Sequence, residues 1–119
     1  MARAEACAAV VTDLGPLGKT VAVFGGRDGS ENELDSVELY QCDAAAASCI
    51  KLPDGPKLLS ARAAFGCGVV ESADGGRVLL AMKVGSSPTE MLDISDPDSS
   101  NWAWRESKIK VFKKNHIVL

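Results

Sequence analysis

Histidine and aromatic side chains are scarce in this chain, which limits the chemistry that it can perform. Among 119 residues there is one histidine, His116, with three phenylalanines, two tryptophans and one tyrosine. His116 has no acid or nucleophile beside it in the sequence, so no acid–base pair is visible. We therefore predict no catalytic residue, no enzyme activity and no cofactor.

Long apolar runs are also absent. No stretch approaches the roughly 20 apolar residues that span a bilayer, and residues 1–5 lack the apolar centre of a secretory signal. The formal net charge of -3 argues against a general binder of nucleic acid or of anionic membranes. We therefore expect a cytoplasmic protein that binds neither nucleic acid nor membrane.

Metal-binding spacings are missing as well. The four cysteines, Cys7, Cys42, Cys49 and Cys67, include no pair at the two-residue spacing of a zinc knuckle, so no metal site is predicted. Without a visible secretory context, reduced thiols are expected. Cys42 and Cys49 flank a loop, and they either form a bridge across a hairpin or remain two buried thiols.

Short apolar runs between turn residues predict an all-β fold. The clearest run, residues 20–24, is β-branched and aromatic and ends on Gly25 and Gly26. A small apolar run at 6–11 precedes it, and further strands are predicted at 37–40 and 49–52.

The second half of the chain repeats the first. Residues 62–70 repeat the character of 3–11, and 77–85 repeat the strand that ends at Gly26, both at an offset of 59. The offset falls to 52 at Glu38 and Glu90 because the intervening loop is shorter, and Trp102 or Trp104 takes the place of Cys49. A period near 50 with four short strands per unit is typical of a propeller blade.

These elements together resemble a Kelch repeat over residues 3–105. The elements are an apolar strand, a double glycine, an acidic loop, Val-Glu-x-Tyr, a short strand ending in leucine, a Pro-rich bend and an arginine. The second copy departs from the family pattern at Val84 and Leu92, and the first has Cys49 where Kelch blades usually place tryptophan. The structural motif residues carried over are Gly25, Gly26, Glu38, Tyr40, Arg62, Gly85, Glu90 and Trp102.

The resemblance implies two four-stranded antiparallel Kelch-type β-propeller blades, residues 1–59 and 60–105. Residues 106–119 form a basic, irregular C-terminal tail, which is an added strand at 108–112, a partner-binding segment or an aberrant chain end. Propellers typically close with 4–8 blades. Two blades do not close a ring, so the chain is part of a longer propeller, self-associates, or is marginally stable.

The resemblance also implies a protein–protein interaction module, either a scaffold or a substrate adaptor of a ubiquitin ligase. Its partner would bind the loops of one propeller face. Residues 27–35 carry four acids and one base, which predicts a partner with a basic segment. The candidate binding residues are Arg27, Asp28, Glu31, Glu33, Asp35, Lys57, Leu58, Ser86 and Ser87.

Two other functions remain open. One is a fragment of a propeller enzyme resembling galactose-oxidase-like copper proteins, whose chemistry needs tyrosine and histidine ligands; Tyr40 lies in a strand motif and His116 in the tail. The other is a carbohydrate-binding propeller. Trp102 and Trp104 lie two residues apart, so on a strand both rings point to one face, either as core or as a stacking platform.

Overall fold

The protein is all-β and contains two four-stranded antiparallel sheets. The computed structural model describes residues 3–13, 18–43, 48–71, 75–96, 98–107, 110–111 and 117–118. The strands of each sheet follow chain order, β1-β2-β3-β4 in the first and β5-β6-β7-β8 in the second. Each sheet is therefore a meander in which every strand pairs with the next.

The first sheet is built from the runs that end on turn residues. The strand β2 alternates between two faces, because Ala22 and Phe24 are buried whereas Val21 and Val23 are half-buried. β3 places Val37 on the buried face beside Phe24. The strands are β1 (Cys7–Asp13), β2 (Lys19–Phe24), β3 (Val37–Asp43) and β4 (Ser48–Lys51).

The second sheet has a strand that is buried on both faces. In β6 the residues from Val78 to Ala81 are all buried, which matches its continuous apolar sequence. A single 3₁₀ turn, Ser99–Asn101, precedes the last strand. The strands are β5 (Cys67–Glu71), β6 (Arg77–Ala81), β7 (Glu90–Asp93) and β8 (Trp104–Glu106).

Two short strands follow near the C-terminus. β9 (Lys110–Val111) pairs antiparallel with β10 (Ile117–Val118). The strand predicted at 108–112 overlaps β9, and residues 108, 109 and 112 lie outside the described part of the chain.

Strand register places the two halves of the chain in equivalent positions. Glu38 pairs with Val23, one residue before the end of β2, and Glu90 pairs with Ala81, the last residue of β6. Two residues further along each strand, Leu92 lies opposite Leu79 as Tyr40 lies opposite Val21. The internal repeat is therefore also a repeat of strand register, but β2 and β6 match at an offset of 58, from Val23 to Ala81, so the expected offset of 59 between Gly26 and Gly85 is wrong by one residue.

The main core lies between the two sheets. Phe24 of the first sheet and Trp104 of the second have ring centroids 5.7 Å apart, and Trp104 donates its indole N–H to Pro56 O at 2.8 Å. Fully burying one large apolar side chain contributes about 1.5–3 kcal/mol. The buried members of this cluster are Val11, Ala22, Phe24, Val37, Leu39, Leu58, Leu79, Ala81, Leu92, Ile94 and Trp104.

All four cysteines form disulfides, so the expectation of reduced thiols is wrong. Cys42 lies directly opposite Cys49 in the β3–β4 register and is bonded to it. Cys7 of β1 is bonded to Cys67 of β5, across a sequence separation of 60 residues. The sequence argument relied on the missing secretory context, whereas strand pairing and sheet packing bring the thiols together.

Candidate functional site

The loops proposed for binding emerge at one end of the two sheets. Phe24, the last residue of β2, pairs with Cys7, and Ala81, the last residue of β6, pairs with Cys67. Since Cys7 is bonded to Cys67, with 6.2 Å between their Cα atoms, the ends of β2 and β6 are neighbours. The loops that leave these strands therefore begin side by side.

The loop after β2 is longer than its counterpart after β6. Residues 25–36 join β2 to β3, whereas residues 82–89 join β6 to β7. Because a shorter segment makes the equivalent connection in the second sheet, the extra residues of the first loop are not needed to link two antiparallel strands. They carry most of the acidic residues of this end.

Asp28 organises the long loop. Its carboxylate accepts hydrogen bonds from the backbone N–H groups of Ser30 at 2.9 Å and Asn32 at 3.0 Å. The hydrogen bonds from the backbone amides of Asn32 and Ser30 hold the pKa of Asp28 below its ordinary value. Its backbone also pairs with Glu31 and Asn32. Asp28 is thus a turn-forming residue as well as a charge of the predicted site.

Glu31 is the most strained residue of this loop. It has a φ of 67°, in the left-handed region that L-residues rarely adopt, and its side chain is exposed. Glycine would fit this backbone more easily. The turn thus holds a carboxylate in solvent at a backbone position that favours glycine.

Arg27 is held between two acids. Its guanidinium lies 3.1 Å from the Glu5 carboxylate and 3.6 Å from the Glu33 carboxylate. Glu5, which sequence reasoning missed, also has a positive φ of 56°. The only base of the loop is therefore already paired with carboxylates, so the exposed charge of this loop is acidic.

The loop from 54 to 62 lies directly beside the acidic loop. Leu58 N donates to Asp35 O at 2.8 Å, and Arg62 N donates to Leu34 O at 3.2 Å. Lys57 is exposed, whereas Leu58 is only 3% exposed and belongs to the core. Leu58 is therefore removed from the candidate binding residues, because its side chain is not on the surface.

Ser86 and Ser87 lie in a tight turn. Val84 and Ser87 exchange two backbone hydrogen bonds, at 3.1 and 2.9 Å, and Gly85 has a φ of 55° inside this turn. Ser86 is exposed and Ser87 is half-buried. The turn presents small hydroxyl side chains and no charge.

Two equivalent ion pairs lie beneath these loops. Arg3 pairs with Glu38, and Arg62 pairs with Glu90. Both pairs are buried, and the side chains of Arg62 and Glu90 are fully buried. The sequence repeat matched Arg3 with Arg62, but it did not predict that each arginine would pair with a glutamate.

Each pair also binds the backbone. Arg62 donates to Ala81 O at 3.3 Å and to Met82 O at 2.9 Å, while Glu90 accepts from the N–H groups of Leu59 at 2.6 Å and Ser60 at 2.9 Å. The pair therefore fixes the segment that connects the two sheets onto the end of β6.

In the first sheet Tyr40 takes part in the equivalent cluster. Tyr40 donates its hydroxyl to Glu38 at 2.6 Å. This hydrogen bond lowers the pKa of Glu38, and the Arg3 guanidinium lowers it further. The same hydrogen bond raises the pKa of Tyr40. The phenol considered above as a copper ligand is thus engaged by a carboxylate, and His116 lies outside the described residues.

The double glycine serves close packing at the same end. Gly25 and Gly26 have φ values of 68° and 93°. A Cβ at Gly25 would lie 2.5 Å from the Phe65 ring and 2.8 Å from Arg62 O. Counted from the paired glutamates, Gly26 corresponds in register to Val84, so Gly85 lies one residue further along.

The two tryptophans have different environments. Trp104 is buried against the first sheet, whereas Trp102 is half-buried and packs at the edge of the same core. Trp102 donates its indole N–H to Asp96 O at 2.8 Å. Trp104 is therefore the tryptophan that joins the two sheets.

The concave features at this end are small. A hollow of about 260 Å³ is lined by Arg3, Ala4, Arg27, Asp28 and Gly29, and another of about 240 Å³ lies beside Glu38.

Within the described ranges no three His, Cys, Asp or Glu side chains are grouped to hold a metal ion. No helix in the described part of the chain is long and apolar enough to cross a membrane.

Comparisons with known proteins add no assignment. The chain matches no protein-family model, no curated protein and no solved structure.

Proposed function

We propose that the chain forms two divergent Kelch-type β-propeller blades and acts as a protein–protein interaction module, as a scaffold or as a substrate adaptor. The equivalent ion pairs and equivalent strand register of the two sheets support the repeat assignment. The binding surface consists of the loops at residues 27–35, 54–59 and 85–88.

The observation that carries this proposal is the acidic loop between β2 and β3. It is longer than the equivalent connection in the second sheet, it is ordered by hydrogen bonds to Asp28, and its one base is paired. A preorganised surface of one charge attracts a partner segment of the opposite charge and mainly raises the association rate. The partner is therefore a protein with a basic segment.

Reversing two exposed charges tests this proposal. Glu31→Lys together with Glu33→Lys should slow association with a partner recovered by pull-down and should weaken the dependence of that rate on salt. The matched control is Glu71→Lys with Glu106→Lys, which changes the net charge equally at two exposed strand positions. Equal kinetics for the two double variants would contradict the assignment of this face.

The outer face of the first sheet bears on assembly. Val10 is 38% exposed, Ala8 is exposed, and Val21 and Val23 are half-buried on this face. The matching face of the second sheet, with Leu79 and Ala81, is covered by the first sheet. We therefore propose that a further blade of a longer propeller, or another copy of the chain, covers the outer face.

The oxidation state of the cysteines in the cell indicates the compartment of the protein. The sequence led us to expect a cytoplasmic protein, whereas disulfides persist mainly in oxidising compartments. A cytoplasmic location and the two disulfides are compatible only if the disulfides are reduced in the cell. Alkylation of the native protein before lysis, followed by mass spectrometry of the cysteine peptides, separates a cytoplasmic location with free thiols from an oxidising one with four bonded cysteines.

A further inference from the structure

The two disulfides occupy contrasting positions. Cys7 and Cys67 are half-buried, pack against the core and link the first strands of the two sheets. Cys42 and Cys49 lie on the last two strands of the first sheet, and β4 is its edge. All four residues of β4 are exposed, including Cys49. Cys49 is therefore the one exposed cysteine of the four, since Cys42, like Cys7 and Cys67, is half-buried.

The surroundings of the exposed bridge favour attack by a thiol. Thiol–disulfide exchange needs the attacking thiolate to reach one sulfur while the other leaves. The exposed edge strand gives a thiol access to Cys49 Sγ.

A positive charge lies on the leaving-group side. Lys19 of β2 is the register partner of Cys42, and Cys42 is the register partner of Cys49, so the three side chains form a row across one face. A neighbouring ammonium lowers the pKa of a thiol and makes it a better leaving group. Attack at the exposed Cys49 makes the half-buried Cys42 the leaving group, and the variant Lys19→Gln tests whether the ammonium assists its departure.

We propose that Cys42–Cys49 is a surface site of thiol–disulfide exchange that accepts thiol and dithiol reductants, while Cys7–Cys67 stays closed. A reductant thiolate attacks Cys49 Sγ, forming a mixed disulfide and releasing Cys42 as a thiolate. A second reductant thiolate attacks the reductant sulfur of that mixed disulfide and releases Cys49 as a thiolate. Two electrons pass to the protein, both cysteine thiolates take up protons according to pH, and the reductant leaves as its own disulfide.

Differential alkylation tests the site. The native protein is incubated with reduced glutathione in one arm and with a protein dithiol of the Cys-x-x-Cys type in the other. Free thiols are trapped with iodoacetamide, and the cysteine peptides are quantified by mass spectrometry over time. Cys42 and Cys49 should become alkylated at least about tenfold faster than Cys7 and Cys67 in one arm or both.

Two variants sharpen the test. Lys19→Gln should slow release of Cys42 severalfold without changing the rate at Cys7–Cys67. Cys42→Ser with Cys49→Ser should remain folded by circular dichroism and should show no fast alkylation. Equal rates at both bridges, or faster opening of Cys7–Cys67, in both arms overturns the proposal; an unchanged rate in Lys19→Gln overturns the role of the row.

Discussion

The fully buried pair of Arg62 and Glu90 gives the sharpest test of how this fold is held together. Glu90→Gln keeps the shape of the side chain but removes its charge. One carboxylate oxygen, which now becomes an amide NH₂, accepts a hydrogen bond from Leu59 N or Ser60 N in the native protein. The substitution therefore leaves the Arg62 charge uncompensated and at least one backbone donor unsatisfied.

The expected loss of stability is large for a single chain of this size. Removing one partner of a buried ion pair costs about 3–5 kcal/mol, because the other charge stays desolvated. The total free energy of unfolding of a small domain is only about 5–15 kcal/mol. With a urea dependence of about 2 kcal/mol per molar, the unfolding midpoint should fall by roughly 2 M.

Glu33→Gln is the matched control. The Glu33 side chain is 47% exposed and lies 3.6 Å from Arg27, so its loss should cost about 0–1 kcal/mol. Urea unfolding is followed by tryptophan fluorescence with the disulfides intact. Equal midpoints for Glu33→Gln and Glu90→Gln would refute the reasoning.

A double variant separates charge from backbone hydrogen bonding. Arg62→Met with Glu90→Leu removes both charges, yet it leaves the amides of Leu59 and Ser60 without their acceptor. Each unsatisfied buried donor costs about 1–3 kcal/mol. The double variant should therefore recover only part of the stability lost in Glu90→Gln, and full recovery would show that the backbone contacts contribute nothing.

Three further substitutions probe the same end and the core. In thermal melts Gly25→Ala should lower the stability by at least about 2 kcal/mol, because it adds steric overlap to a positive φ. Gly75 has a positive φ in open space, so Gly75→Ala should lower the stability by only about 1 kcal/mol. Trp104→Phe should lower stability by about 1–3 kcal/mol through a lost hydrogen bond and lost volume, and an unchanged melt would contradict its place between the sheets. Tyr40→Phe should raise the pKa of Glu38 toward its ordinary value. A depressed carboxyl pKa stabilises the fold above about pH 4.5, and this stabilisation is lost as the pH falls through the folded pKa. Tyr40→Phe should therefore lose less stability than the native protein on acidification. Urea midpoints at pH 7 and about pH 3 measure this difference.

Strand positions were largely predictable from the sequence. The run at 20–24 became β2 (Lys19–Phe24), and the run at 49–52 corresponds to β4 (Ser48–Lys51). The first predicted strand, 6–11, became β1 (Cys7–Asp13). These segments were visible because β-branched or small apolar runs end at glycine, proline or acidic turns, which are local signals.

Pairing between distant residues was not predictable in the same way. Cys7 and Cys67 are 60 residues apart, and their bond depends on β1 and β5 lying together. Leu58 shows the same limit within a loop, because Leu58 and Leu59 are adjacent leucines, yet Leu58 is 3% exposed and Leu59 is 62% exposed. Composition describes both leucines equally, and only the packing of the loop against the sheets distinguishes them.

The relative positions of the proposed binding loops depend on contacts that lie outside those loops. The loop at 27–35 leaves the first sheet and the turn at 85–88 leaves the second, so their separation depends on how the two sheets are joined. The bridge between Cys7 and Cys67 and the Arg62–Glu90 pair both lie at this end of the strands. A partner that contacts both loops should therefore bind Glu90→Gln more weakly under conditions in which that variant remains folded, although Glu90 is fully buried. A partner that contacts the acidic loop alone should be indifferent to Glu90→Gln and sensitive to Glu31→Lys with Glu33→Lys.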